Sequence, residues 1–257
     1  MVVDGVTGRS VLVTGAAGGI GAACARVLDS VGATVARWDL TGDAGADLGS
    51  GGTLAVDVTD ADAVAAAWDT TERAVGPISV LVHAAGVLRT GSGTDRGDDW
   101  DVCMAVNATG TRNVAGEAGR RFVTAAAAGA QPGVIVGVSS NAASTPRTAM
   151  AAYGASKAAA TAYLRSLGLE LAPHGIRCNI VSPGSTDTPM LRGMWAEDDE
   201  SAAVVAGDAA SFRLGIPLRR IARPEDIAQT VLFLCSDAAR HVTLHDLRVD
   251  GGATLDM

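Results

Sequence analysis

The stretch that decides the fold is SVLVTGAAGGIG, residues 10–21. An apolar strand-like run leads directly into a glycine-rich turn and then into a helix-like segment, which is the context of a dinucleotide-binding motif. Gly15 allows a tight turn, while Gly19 and Gly21 allow a pyrophosphate and the strand to approach the backbone closely. The first helical turn offers free N–H groups to phosphate. The spacing, G-x-x-x-G-x-G, predicts a phosphate-binding strand–turn–helix unit.

Strand-like apolar runs recur through the chain and alternate with Ala-rich segments of helical character, which predicts βαβ units and a parallel sheet. The further runs lie at 33–39, 79–86, 133–140, 177–184 and 246–252. Neither a polar linker nor a fixed-period repeat divides the chain. We therefore predict α/β architecture: a single Rossmann-type domain over residues 1–257, with a doubly wound parallel sheet and helices on both faces. A long insertion around 189–213 is predicted to cover the substrate.

The composition restricts the possible functions. The net charge is −8, and 48% of the residues are hydrophobic, so the chain is globular and poorly suited to nucleic acid. Its four cysteines are Cys24, Cys103, Cys178 and Cys235. They form no C-x-x-C pair, which favours buried, reduced thiols and a cytoplasmic protein. We expect no signal peptide, no membrane span and no metal site, since His241 and His245 have no third ligand nearby.

Two acidic residues follow strand-like runs. Asp39 comes eighteen residues after Gly21, where a carboxylate binds the ribose hydroxyls of NAD and repels the 2′-phosphate of NADP. Arg37 slightly weakens this preference for NAD. Asp57, followed by Val58, fits either a contact with the adenine edge or the N-cap of the next helix.

A second motif lies in AAYGASKAAA, residues 151–160. Tyr153 and Lys157 are four residues apart and therefore share one face of a helix. Ser140 lies thirteen residues before Tyr153, at the end of a strand-like run. A tyrosine of pKa about 10 becomes a base near neutral pH if a neighbouring ammonium and the positive nicotinamide ring lower its pKa to about 7, which takes about 4 kcal/mol.

The order of these motifs resembles the short-chain dehydrogenase/reductase family over essentially the whole chain. The matching features are TGxxxGxG, Asn107 in AVNATG, Ser140, Tyr153-x-x-x-Lys157 and Pro183-Gly184. The resemblance implies that Tyr153 is the base, that Ser140 holds the substrate oxygen and that Asn107 anchors a proton-relaying water. One departure is His83, which stands where the family usually has asparagine. His83 either replaces the hydrogen bonds of that asparagine or leaves the site looser.

The motifs and the resemblance together imply one set of contacts with NAD. It comprises Gly15, Gly19, Ile20, Gly21, Asp39, Asp57, Val58, Ala84, Ala85, Gly86, Tyr153, Lys157, Pro183, Gly184, Thr186 and Thr188. Thr186 and Thr188 are placed near the nicotinamide carboxamide. The family resemblance also implies a homotetramer, assembled through the segments 99–127 and 153–172.

Four segments resemble one branch of this family, the dehydrogenases of 2,3-dihydro-2,3-dihydroxybenzoate in catecholate siderophore synthesis. They are 144–157, 177–195, 212–228 and 242–255. This resemblance implies NAD-dependent oxidation of the C3 hydroxyl of a cyclohexadiene carboxylate, followed by aromatisation. Three alternatives stay open: the same oxidation of 2,3-dihydro-3-hydroxyanthranilate, a generic hydroxysteroid or 3-oxoacyl reductase, and a non-catalytic NAD-sensing protein.

A carboxylate substrate calls for a guanidinium near the base. Arg147 lies six residues before Tyr153 and is the first candidate; Arg89 and Arg192 are others, equally explained as surface residues. The predicted substrate contacts are Leu88, Arg89, Ser140, Arg147, Met150, Tyr153, Met190 and Arg192. The apolar residues that follow the Pro-Gly turn either cover the ring or pack a helix. They are Met190, Leu191, Met194 and Trp195.

Overall fold

One parallel sheet organises the molecule. The computed structural model describes residues 3–195 and 199–255. In this part of the chain the strands are β1 Ser10–Thr14, β2 Thr34–Asp39, β3 Thr53–Ala55, β4 Ile78–His83, β5 Val134–Val138, β6 Arg177–Pro183 and β7 Asp246–Val249. Their order in the sheet is β3-β2-β1-β4-β5-β6-β7, and every neighbouring pair is parallel. The strand order reverses between β1 and β4, where sheets of this kind bind ligands.

Helices cover both faces of the sheet. They are α1 Gly19–Ser30, α2 Ala61–Val75, α3 Asp99–Cys103, α4 Gly110–Ala127, α5 Ala151–Leu171, α6 Pro189–Arg192, α7 Ser201–Ala206 and α8 Pro224–Cys235. A π-helical turn, Met104–Thr109, joins α3 to α4. The short 3-10 turns are Leu48–Ser50, Asn141–Ala143, Ala172–His174 and Asp237–Ala239. The predicted doubly wound α/β fold is therefore confirmed.

The alternation of side chains along the strands creates two cores. Val11 and Val13 of β1 pack with α1 and α8 on one face, in a cluster that includes Leu28 and Val231. Leu12 belongs to the opposite cluster, formed with α2, α4 and α5. Because both faces are buried, the strands read as continuous apolar runs in the sequence.

The two edge strands of the sheet are short. β3 spans only Thr53–Ala55, and β7 ends at Val249, whereas the corresponding sequence run extends to residue 252. The predicted covering segment, 189–213, contains α6 and α7. Residues 1, 2, 196–198, 256 and 257 belong to the predicted domain but lie outside the described residues. No helix in the described part of the chain combines the length and apolar character that crossing a membrane requires.

Candidate active site

The glycine motif forms a tight cradle at the end of β1. Gly15 and Gly19 have φ values of +67° and +53°, in the region that favours glycine. A Cβ atom on Gly15 would lie 2.8 Å from the backbone of Ala84, and one on Gly21 would lie 2.0 Å from the carbonyl oxygen of Gly15. Since α1 begins at Gly19, its free N–H groups face the turn. The cradle therefore fits a phosphate-bearing group.

A cavity of about 530 Å³ lies beside this cradle, at the carboxyl ends of the central strands. Most of the predicted cofactor contacts line it. They are Gly15, Gly19, Ile20, Gly21, Asp39, Asp57, Val58, Ala84, Ala85, Gly86, Tyr153, Lys157 and Thr188. The other three, Pro183, Gly184 and Thr186, line the adjoining cavity described below. The glycine cradle and the strand ends thus fit an extended dinucleotide.

Asp39 presents a fixed carboxylate to this cavity. Its Oδ2 accepts a hydrogen bond from the backbone N–H of Ala17 (3.0 Å), and its Oδ1 accepts from the backbone N–H and hydroxyl of Thr41 (3.1 and 2.9 Å). Arg37 does not line the cavity. Its guanidinium instead pairs with Asp29 and donates to the carbonyl of Val35 (3.1 Å). Arg37 is therefore not positioned to bind a 2′-phosphate in this cavity, and it does not weaken the predicted preference for NAD over NADP.

The two interpretations of Asp57 are separated by the structure. Asp57 lines the cavity, and its Oδ1 accepts from the backbone N–H and hydroxyl of Thr59 (2.9 and 2.8 Å). The N-cap of α2 is Asp60, whose carboxylate accepts from the backbone N–H groups of Asp62 and Ala63. The helix-cap interpretation of Asp57 is therefore wrong.

The structure brings the predicted catalytic side chains together. Tyr153 is 7% exposed and lines the same cavity as Ser140, which follows β5 as the N-cap of the 3-10 turn Asn141–Ala143. Lys157, one turn further along α5, is buried and donates from Nζ to the carbonyl of Val138 (3.1 Å). Ser140 lines the smaller cavity and Lys157 the larger, while Tyr153 lines both. Tyr153 therefore stands at the junction of the two cavities.

Burial dominates the charge states of this pair. It raises the pKa of Tyr153 above its usual value, although the Ser140 hydrogen bond opposes the shift. It also lowers the pKa of Lys157 to about 8, and the nearby thiol of Cys103 opposes this change. In the protein without cofactor, desolvation of the phenolate outweighs its hydrogen bond. The expected lowering of the Tyr153 pKa includes the positive charge of the nicotinamide ring and therefore stays a prediction for the protein with its cofactor bound.

Asn107 is completely buried in the π-helical turn and lines neither cavity. Its Oδ1 accepts from the backbone N–H of Val87 (2.9 Å), and its Nδ2 donates to the Val87 carbonyl (2.8 Å) and to Ser156 Oγ (3.0 Å). Its own carbonyl accepts from the hydroxyl of Thr111 (2.5 Å). Asn107 thus ties the loop after β4 to α5, and its role with water stays a prediction.

His83 takes over the strand-tying role of the usual asparagine. Its Nδ1 lies 2.8 Å from Thr14 Oγ1, and this oxygen also accepts from the backbone N–H groups of Ala84 and Ala85 (both 3.2 Å). The imidazole tautomer decides which of these two groups donates, and among the described residues the buried Nε2 has no hydrogen-bond partner. Burial, and next the charge of Lys157, lower the pKa of His83 to about 3.

A second cavity, of about 330 Å³, opens on the first. The two share Ile20, Ser139, Tyr153, Thr188 and Met190. The predicted substrate residues that line it are Leu88, Ser140, Arg147, Met150, Tyr153 and Met190. Leu191, Met194 and Trp195 line it too, so the interpretation that these apolar residues cover the site is supported over simple helix packing.

The three candidate arginines differ in their positions. Arg147 lines the second cavity, but Arg89 is exposed and lines neither. Arg192 also lines neither: its guanidinium forms two hydrogen bonds with Asp187 (2.7 and 2.9 Å) and lies 5.7 Å from the ring centre of Trp195. The structure thus places only Arg147 of these three beside Tyr153.

Sequence reasoning missed several polar residues of the second cavity. They are Thr90, Thr148, Ser185, Glu200, Ser211 and Arg213. Arg213 is the notable omission, since it lies at the end of the predicted covering segment. Arg213 could have been predicted as a substrate contact, because it is a basic residue in a segment that is expected to cover a carboxylate.

Comparison with known proteins agrees with this geometry. A family model described as enoyl-(acyl carrier protein) reductase matches residues 15–254. The chain belongs to the short-chain dehydrogenase/reductase family, whose members are nicotinamide-dependent oxidoreductases. It is similar to the 2,3-dihydro-2,3-dihydroxybenzoate dehydrogenases of Bacillus subtilis, with 44% identity over 98% of each chain, and of Escherichia coli. The Escherichia coli protein is 45% identical over 97% of this chain and 98% of its own chain.

A solved structure shares the fold as well. The 3-ketoacyl-(acyl-carrier-protein) reductase of Brucella melitensis, complexed with NADH, superposes with a TM-score of 0.82 and 28% identity. The match covers 97% of this chain and 99% of that one.

Proposed function

We propose that this chain oxidises the C3 hydroxyl of 2,3-dihydro-2,3-dihydroxybenzoate with NAD, giving the aromatic 2,3-dihydroxybenzoate of catecholate siderophore synthesis. One observation carries the proposal: Tyr153, Ser140 and Arg147 line a single apolar cavity that opens on the dinucleotide cavity. The names of the two relatives that match nearly the full chain support this substrate.

The residues divide the reaction between them. Ser140 Oγ holds the C3 hydroxyl, and the Tyr153 oxygen takes its proton as the hydride leaves C3. The bound nicotinamide supplies the hydride acceptor. Lys157 stabilises the phenolate form of Tyr153 while its ammonium is charged. The resulting dienone loses its C2 proton to solvent and gains one on the C3 oxygen, which completes the aromatic ring.

The choice of NAD rests on the ribose end of the larger cavity. Asp39 places a carboxylate there, held by three hydrogen bonds, and Asp57 adds a second negative charge. Two carboxylates repel a 2′-phosphate and accept hydrogen bonds from a free ribose hydroxyl. The paired guanidinium of Arg37 offers no compensating charge.

Assembly and location are parts of the same proposal. A homotetramer through α4 and α5 is supported by exposed apolar side chains near these helices, Trp100 and Leu169. A cytoplasmic location is supported by the four buried free thiols. Light scattering on the purified protein tests the tetramer, and a mass of one subunit would exclude it.

The deciding experiment compares initial rates of NADH formation with 2,3-dihydro-2,3-dihydroxybenzoate and with 2,3-dihydro-3-hydroxyanthranilate. We expect kcat/KM to favour the diol by more than about tenfold, or 1.4 kcal/mol. The reverse preference would assign the chain to hydroxyanthranilate formation. Tight NAD binding without turnover of any alcohol would support the sensing alternative instead.

A further inference from the structure

Two arginines from separate segments of the chain face the substrate cavity. Arg147 precedes α5 and is half-buried, while Arg213 lies beyond α7 and is exposed. Burial lowers the pKa of the Arg147 guanidinium, the charge of Arg213 lowers it further, and the more weakly felt charge of Asp250 opposes both. Because both guanidinium groups line the same cavity, their like charges face one ligand-sized space.

Neither side chain forms an ion pair within the described residues, and the carboxylates of Asp250 and Asp208 act on Arg147 and Arg213 only through their charge. Within residues 3–195 and 199–255, no ion pair or side-chain hydrogen bond of Arg147 or Arg213 is formed. By contrast, Arg192 is held by Asp187 and Arg220 by Asp226. Both guanidinium groups are thus available to a ligand.

The backbone, rather than side-chain pairing, holds Arg213 at the cavity. Gly207 and Gly215 have φ values of +81° and +80°. A Cβ on Gly207 would lie 2.4 Å from the Gly215 nitrogen, and one on Gly215 would lie 2.5 Å from the Val205 carbonyl oxygen. The ends of the 207–215 loop are therefore clasped together, and Asp208 closes it further through backbone hydrogen bonds with Arg213 (2.9 and 2.8 Å).

The charges that line the cavity favour a monoanion. Glu200 is the other charged side chain of the described lining, so Arg147, Arg213 and Glu200 sum to one positive charge. The rest of the lining is mainly small or apolar, including Leu88, Met150 and Ile216. A planar ring with a single carboxylate matches both properties.

We propose that Arg213 is a specificity-determining residue that binds the substrate carboxylate together with Arg147. The shared anion offsets the repulsion between the two guanidinium groups and thereby holds the 207–215 loop over the ring. This inference rests on the proposed function for the identity of the acid. Whatever the identity of the acid, the cavity selects carboxylates, and this selection depends on Arg213.

The test compares Arg213→Ala, Arg147→Ala and the double variant on two substrates. One is 2,3-dihydro-2,3-dihydroxybenzoate, and the other is the cyclohexa-3,5-diene-1,2-diol of the same relative configuration, which lacks only the carboxylate. Losing a charge-assisted hydrogen bond costs about 1.5–3 kcal/mol, so we expect Arg213→Ala to lower kcat/KM for the acid about 10- to 150-fold, mainly through KM. The carboxylate-free diol should be unaffected. Arg213→Lys should retain part of the activity.

Two further comparisons separate contact from general charge effects. Arg96 is exposed and lines neither cavity, so Arg96→Ala removes the same charge and should leave both substrates unchanged. The two cavity substitutions should be less than additive in the double variant, because both arginines hold one group. Full additivity, or equal losses with both substrates, would overturn the shared-carboxylate role.

A binding measurement distinguishes this proposal from the proposed function. Calorimetry with 2,3-dihydroxybenzoate and with 2,3-dihydroxybenzamide needs no turnover. The protein could bind 2,3-dihydroxybenzoate but not the amide, lose this binding in Arg213→Ala, and yet oxidise neither dihydrodiol substrate. That result would support the carboxylate site and contradict the proposed reaction. Normal turnover, with the affinity for both ligands unchanged in Arg213→Ala, would support the proposed reaction and contradict the role of Arg213.

Discussion

The two cavities of this site are built in different ways. The dinucleotide half sits on strand ends, and backbone contacts fix its key residues: the Gly15 turn touches the Ala84 backbone, and Asp39 accepts three hydrogen bonds. The substrate half is covered by α6, α7 and the 207–215 loop, where Met190 and Met194 are 43% and 39% exposed. The difference indicates that the cofactor half tolerates little change, while the substrate half can adapt to its ligand.

The largest expected effect falls on the residue shared by both halves. Replacing Tyr153 with Phe removes the proton acceptor, so we expect kcat to fall by about 10³-fold or more while NAD binding persists. Stopped-flow turnover and NAD titration measure the two properties. The matched control is Tyr163→Phe, on the same helix, whose hydroxyl makes only a 3.4 Å contact with the Arg112 carbonyl. Retained turnover in Tyr153→Phe would show that the base is misassigned.

The second expected effect tests the rigidity of the dinucleotide half. A methyl group at Gly21 would collide with the Gly15 carbonyl oxygen, so Gly21→Ala should weaken NAD binding by about 100-fold, or 2.7 kcal/mol. Gly97, in the loop before α3, has open space around its Cβ position and lines neither cavity, which makes Gly97→Ala the matched control. Calorimetric titration with NAD gives both values. Equal affinities in the two variants would remove the proposed difference between the halves.

A smaller change is expected in the choice of dinucleotide. Asp39→Ala removes the carboxylate at the ribose end, so the ratio of kcat/KM for NAD over NADP should fall by about tenfold or more. Asp60→Ala serves as a control, because Asp60 caps α2 and does not line the cavity. A variant as selective for NAD as the parent would exclude Asp39 from this role.

The last expected effect concerns stability at acid pH, not binding or turnover. The pKa of His83 in the folded chain is about 3, below its ordinary value of 6.5, so the unfolded state alone gains this proton as the pH falls below 6.5. The free energy of unfolding is therefore about 2 kcal/mol lower at pH 5 than at pH 7. His83→Asn should therefore lose less unfolding free energy between pH 7 and 5, measured by urea denaturation at one protein concentration.

The control for this measurement is His241→Asn, an exposed histidine. It should keep the acid dependence of the parent. If His83→Asn keeps it as well, the buried imidazole does not contribute to acid sensitivity, and the dinucleotide half is less rigidly tied through β4 than its hydrogen bonds suggest.

The sequence predicts the dinucleotide half well because local rules govern it. A strand, a glycine turn and a helix fix the phosphate cradle, and the four-residue spacing of Tyr153 and Lys157 fixes their common face. The substrate half depends on tertiary contacts instead. The pairing of Arg192 with Asp187 and the clasp that holds Arg213 arise only after the covering segment folds. The pKa of Tyr153 likewise depends on burial, which spacing does not reveal.

The interlocked glycines also constrain how the covering segment evolves. A side chain at Gly207 or Gly215 would strike backbone atoms, so no substitution at the partner position compensates for it. Both glycines are therefore expected to be inherited together. The length of the loop between them is expected to be inherited unchanged as well. Within the loop, the carboxylate of Asp208 accepts from the backbone N–H of Ala210 and the hydroxyl of Ser211, and Phe212 has a φ of +57°, whereas the side chain of Arg213 can vary on this fixed frame. Substrate preference can then diverge among descendants by single substitutions, without insertions, deletions or any change in the cofactor half.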